Sequence, residues 1–69
     1  MWQFISYYNY LSDSNMSFLV KVDNGVIRSV DPMAPELCQE VIGMSIKDAI
    51  EHLEARSEEL DEELDWLAI

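Results

Sequence analysis

No disulfide can form within this chain, because Cys38 is its only cysteine. A lone thiol fits a reducing compartment. It also leaves 69 residues without the staple that domains of this size often use. Histidine is equally scarce. With His52 and Cys38 one of each, there are too few nitrogen and sulfur ligands for a metal site of three or four donors. Glycine occurs only at Gly25 and Gly43, and neither stands in a phosphate-cradling pattern. No serine has a histidine and a carboxylate arranged around it as a nucleophilic triad requires. These absences point away from catalysis, cofactors and metals. No apolar run approaches the ~20 residues that cross a bilayer. Met1-Trp2-Gln3-Phe4 also lacks the basic segment that opens a secretory signal. The expectation is a cytoplasmic protein.

Positive charge is the other shortage. Four Lys and Arg face fourteen Asp and Glu, a net charge of −10. Such a surface repels nucleic acid and anionic lipid, so direct nucleic-acid and membrane binding are disfavoured. A basic protein is the expected partner, a nucleic-acid-binding enzyme or complex among the candidates.

What is present reads as one small α+β domain over residues 1–69. In Trp2–Leu11 the residues Trp2, Phe4, Tyr8 and Tyr10 share one parity, a period of two that suggests a strand. Ile5 and Tyr7 break the alternation and keep a short helix open as an alternative. The aromatic cluster is expected to pack in the core or an interface. Ser12-Asp13-Ser14-Asn15 is a turn cluster. Ser17–Val22 should send Phe18, Val20 and Val22 to one face and pair with Val26–Val30, where Val26 and Val30 flank Arg28. Asp23-Asn24-Gly25 supplies the residues a tight hairpin turn needs. Two to three strands would form a small antiparallel meander.

Helical patterning follows. Asp31-Pro32 resembles a cap and a first helical turn, with Pro35 able to shift the start. A short helix Glu36–Ile42 should end at Gly43. Ser45 should cap a second helix, with Asp48 three residues on. Ile46, Ile50, Leu53, Ser57, Leu60, Leu64 and Leu67 recur at spacings of four and three, a heptad seam with Ser57 as its polar defect. A helix from Ile46 to about Leu67 would run roughly 33 Å, longer than the ~28 Å diameter of a globule this size. Its projecting end would seek a partner, a homodimer being the simplest.

Asp48, Glu51, Glu54, Glu58, Glu59, Asp61, Glu62, Glu63 and Asp65 would all lie on that long acidic C-terminal helix. Only Lys47 and Arg56 could offset them, through Glu51 and Glu59. The surplus of like-charge neighbours costs on the order of 1–3 kcal/mol, and acids near a helix C-terminus oppose its dipole. Acids at one per ~3 Å of helix come close to the phosphate spacing of a DNA strand. The expected partner-binding residues are Glu54, Glu58, Glu59, Asp61, Glu62, Glu63 and Asp65, with Trp66 adding apolar contact; the alternatives are a solvated acidic face and a Trp66 packed against the body or a dimer mate. Cys38 is expected to be a small buried hydrophobe and His52 a solvated helical residue.

The function these features suggest is binding without chemistry: an acidic inhibitor, acting as a nucleic-acid mimic, that blocks a basic nucleic-acid-handling protein. In type, though not in motif, it resembles the anti-CRISPR and anti-restriction proteins that phages and other mobile elements aim at host defence enzymes. The alternative is a structural or regulatory subunit, or an antitoxin-like protein, that pairs through the C-terminal heptad helix.

Overall fold

In the computed structural model, which describes residues 1–69, the first thirty residues form three strands. These are β1 (Trp2–Asn9), β2 (Ser14–Asp23) and β3 (Val26–Val30). The β2–β3 connection is the two-residue turn expected from its sequence. Asn24 and Gly25 take φ of 53° and 75°, the mirror-image conformation that matches the twist of flanking strands. Between β1 and β2 the Asn9 Oδ1 accepts from the backbone N–H of Leu11 and Ser12, and Asp13 adopts a positive φ. Ser14 and Asn15 belong to β2 rather than to the turn.

Phe18, Val20 and Val22 do face the core. In β3 the register shifts opposite Lys21 and Val22, leaving Arg28 without a partner. This bulge moves Ile27 onto the inner face beside Val30, so Ile27, not Val26, is fully buried. In β1 the expected parity is reversed. Ile5, opposite Phe18, is completely buried, whereas Trp2, Phe4 and Tyr10 are exposed. Ile5 and Tyr7, the two residues that break the alternation, are the ones that turn inward, Tyr7 packing against the core.

After β3, Asp31 and Pro32 form a turn and not a helix: Asp31 Oδ1 accepts from Met33 N–H. A 3-10 helix then covers Glu36–Val41 and buries Cys38 and Val41. Gly43, at φ 95°, ends it. The α-helix α1 (Ile46–Glu59) starts at Ser45, whose hydroxyl accepts from Asp48 N–H at 3.2 Å. Ala49, Leu53 and Ser57 are its buried stripe.

Here the structure departs most from expectation. There is no long acidic C-terminal helix. α1 has 14 residues and stops at Glu59, a length of about 21 Å. Asp61 turns left-handed at φ 57°. Glu62 N–H donates to Ser57 C=O and Asp61 N–H to Glu58 C=O, the double closure of a Schellman motif. The chain then reverses into a fourth strand, β4 (Leu64–Ala68). Leu60, Leu64 and Leu67 therefore never join the seam begun by Ile46, Ile50 and Leu53. The accumulated like charges and the unfavourable helix dipole explain why the helix stops where the acids are densest.

β4 pairs antiparallel with β1, with Trp66 opposite Tyr7, giving the strand order β3-β2-β1-β4. The fold is α+β: a four-stranded antiparallel sheet with one face covered by α1 and the 3-10 helix. Ile5, Val20, Ile27, Val41 and Leu53 form the centre of the core. The other face of the sheet is open. On it Leu19 lies beside Phe4 in register, and Ile69 N–H reaches Phe4 C=O. Trp2 and Leu67 flank that row. No helix is long and apolar enough to cross a membrane.

Candidate functional site

The end of α1 and the start of β4 border a shallow, open cleft lined by Glu54, Glu58, Glu62 and Glu63, with Tyr10 and Leu64. A neighbouring cleft shares Glu54, Glu58 and Leu64 and adds Glu51 and Asp65. Two different elements supply these acids. Glu51, Glu54 and Glu58 recur three and four residues apart and so stack along one exposed face of α1. Glu62 and Glu63 are carried back across from that face by the Schellman turn. Asp65 sits on β4, where the Tyr10 hydroxyl donates to its Oδ2 at 3.4 Å.

No cation neutralises these carboxylates. Arg56 is engaged elsewhere: its Nε donates to Glu40 Oε1 at 2.9 Å and its Nη1 to Glu59 Oε2 at 2.7 Å. His52 Nε2 lies 2.8 Å from the same Glu40 oxygen. The hydrogen bond from Arg56, aided by His52, holds the Glu40 carboxyl below its ordinary range and raises the Arg56 guanidinium in turn. His52 is thus a tie between α1 and the 3-10 helix, not a freely solvated histidine. Sequence spacing could not find that contact, because Glu40 and His52 are joined only by the fold. The expected Lys47–Glu51 pair does not form, while Arg56–Glu59 does.

The expected site residues therefore divide. Glu54, Glu58, Glu62, Glu63 and Asp65 are brought together. Glu59 is tied to Arg56 and faces away, and Asp61 is spent on the turn. Trp66 is no exposed anchor: it is 5% exposed, with its ring centroid 4.7 Å from that of Tyr7. Its Nε1–H donates to the Ser57 hydroxyl at 2.8 Å, and Ser57 donates to Leu53 C=O at 2.8 Å. Glu51 and Tyr10 belong to the cleft and were not among the expected residues. Glu51 was legible from its i+3 relation to Glu54, whereas Tyr10 arrives only through the pairing of β1 with β4.

Burial pushes the Cys38 thiol up to about 12, so it is held as a neutral hydrophobe. Burial likewise raises the Tyr7 hydroxyl. Neither group offers a nucleophile to the cleft. What the cleft can do chemically is present several carboxylates and one phenol to a cation. Comparison of the chain with protein-family models, with curated proteins and with solved structures finds no match in any of the three.

Proposed function

We propose that this protein acts by binding, not by catalysis, and that the cleft between α1 and β4 receives the basic surface of another protein. The observation that carries the reading is the uncompensated cleft itself. Glu54, Glu58, Glu62 and Glu63 meet there, while the Arg56 guanidinium of the same helix is held by Glu40 on the other flank of α1. Bringing like charges together costs stability unless opposite charge arrives. The partner class favoured is a nucleic-acid-handling protein, whose own cationic groove would otherwise hold phosphates, and the consequence is inhibition by occupancy in the cytoplasm. The mimicry does not rest on a straight row of charges, because α1 ends before Asp61, Glu62, Glu63 and Asp65. It rests on acids from two elements, the α1 face and the turn into β4, that border one open cleft.

The test is capture of basic proteins from a host lysate on the immobilised chain, eluted with a salt gradient. Captured proteins are then assayed for nucleic-acid binding in the presence of the free chain. The variant E54Q/E58Q/E62Q/E63Q should fold normally and lose capture, and the free chain should displace nucleic acid from its target. Capture unchanged by the four Gln replacements would overturn the reading.

One observation favours a second role for another surface, the open sheet face. Trp2, Phe4, Leu67 and Ile69 are each about half exposed or more, and the acid-bearing helix lies on the opposite side of the sheet. Two copies could stack these faces with their acidic layers outermost. Molecular extents of 35 × 20 Å bound the footprint at roughly 700 Å², close to the ~800 Å² per partner of a stable interface. Sedimentation should then give a dimer that Phe4→Lys dissociates. A monomer at high micromolar concentration would refute it.

A further inference from the structure

The two edges of the sheet are finished differently. Along β3 the free edge is already capped: Ile27 N–H donates to Met44 C=O and Gly43 N–H to Ile27 C=O, both at 2.8 Å. Along β4 nothing plays that part. Tyr10 N–H bonds to Glu63 C=O and Ile69 N–H to Phe4 C=O, so residues 63, 65, 67 and 69 turn their backbone groups to β1. By the alternation of an antiparallel ladder, Leu64, Trp66 and Ala68 turn their N–H and C=O groups away from it, to the sheet's edge. Such a free row of ladder groups is a template on which another strand can pair. The unpaired edge is a separate observation, and it lies directly beside the groove lined by Glu51, Glu54, Glu58 and Asp65.

We propose that an extended segment of the basic partner adds to β4 as a fifth strand, with Lys or Arg at alternate positions reaching the α1 carboxylates. This rests on the function proposed above and specifies its recognition mode. Backbone pairing with Leu64, Trp66 and Ala68 supplies register, and every second side chain of the added strand points to the helix-covered face. There it meets Glu51, Glu54 and Glu58, which follow α1 at one helical turn each. A second copy of this chain fits the same edge poorly, because it brings its own uncompensated acids to the groove. β4 offers few ladder positions, so charge and pairing must act together.

The experiment uses a nine-residue peptide of alternating Lys and Thr, blocked at both ends, and the same peptide N-methylated on the backbone amides of one edge. The two carry identical charge and differ in the ability to pair. The plain peptide should bind at least tenfold more tightly than the methylated one. It should also slow amide hydrogen exchange at Leu64, Trp66 and Ala68. Ala68→Pro, which removes one edge donor without touching charge, should weaken the plain peptide by a similar factor. Equal binding of both peptides, lost on E54Q/E58Q/E62Q/E63Q, would overturn strand addition and leave the acidic-cleft reading standing. Preferential binding of the plain peptide, unchanged by those Gln replacements, would do the reverse. Failure of the plain peptide to bind, or a dimer in which a second copy closes β4, would overturn the inference outright.

Discussion

A serine within an apolar helical stripe is ordinarily a liability, since a buried hydroxyl must find partners or pay the cost of lost hydration. Ser57 finds two, accepting from the Trp66 indole and donating to Leu53 C=O. It is the residue that lets a large amphipathic ring enter a core of this size. Ser57→Ala leaves the indole N–H buried without an acceptor, and a loss of about 1–3 kcal/mol is expected in urea unfolding. Ser57→Leu, which would repair a heptad seam, should destabilise as well. Combined with Trp66→Phe, the Ser57→Ala loss should shrink, because the donor has gone. Cys38 gives a second check at this scale. With its thiol pushed up to about 12 by burial, alkylation near neutral pH should proceed only through unfolding and should accelerate with urea. Glu40 gives a third. Its carboxyl is held low in the folded state by Arg56 and then His52. Its contribution is therefore present above the ordinary carboxylate range and lost as pH falls through the depressed folded value. The Tm of the wild type should exceed that of Glu40→Gln at pH 7, and the difference should close on strong acidification.

Among the elements, the end of α1 decides the architecture. Asp61 occupies the left-handed position that glycine fills most easily. Asp61→Gly relieves both backbone strain and a like charge, so a gain of up to about 1 kcal/mol is expected. Asp61→Val, β-branched at positive φ, should lose about 1–2 kcal/mol by the same measurement. This turn also marks the limit of what the amino-acid order discloses. The Asn24-Gly25 hairpin, the Ser45 cap and the Gly43 stop were all readable, because each is local chemistry within a few residues. β4 was not. Leu60, Leu64 and Leu67 satisfy a helical spacing, while Leu64, Trp66 and Ala68 satisfy a strand alternation equally well. The choice is made by pairing with β1, more than fifty residues earlier. The cost of continuing an acidic helix was visible in the sequence. The chain meets that cost by ending the helix, a remedy that the absence of glycine near residue 61 concealed. For the same reason Glu54, Glu58, Glu62 and Glu63 were foreseeable as an acidic group, but not as the border of one open cleft.

For the whole molecule, most of the acids lie apart from the exposed apolar side chains. Acids crowd the helix, the turn and the start of β4, whereas the open sheet face carries Trp2, Phe4, Leu67 and Ile69. Salt should therefore act with opposite signs on folding and on binding. Screening relieves repulsion within the chain, so Tm should rise between low and moderate NaCl. The same screening should weaken a basic partner. A molecule whose acids merely solvate it would show the first effect without the second.

The most direct trial of the cleft is a titration of the isotopically labelled chain with hexalysine, followed amide by amide in NMR spectra at low salt. Shifts concentrated at Glu51, Glu54, Glu58 and residues 62–68, reversed by added NaCl, are the expected result. Shifts of equal size at Asp13, Asp23, Glu36 and the other remote acids would mean that the cationic probe senses only net charge, and would contradict a built site between α1 and β4.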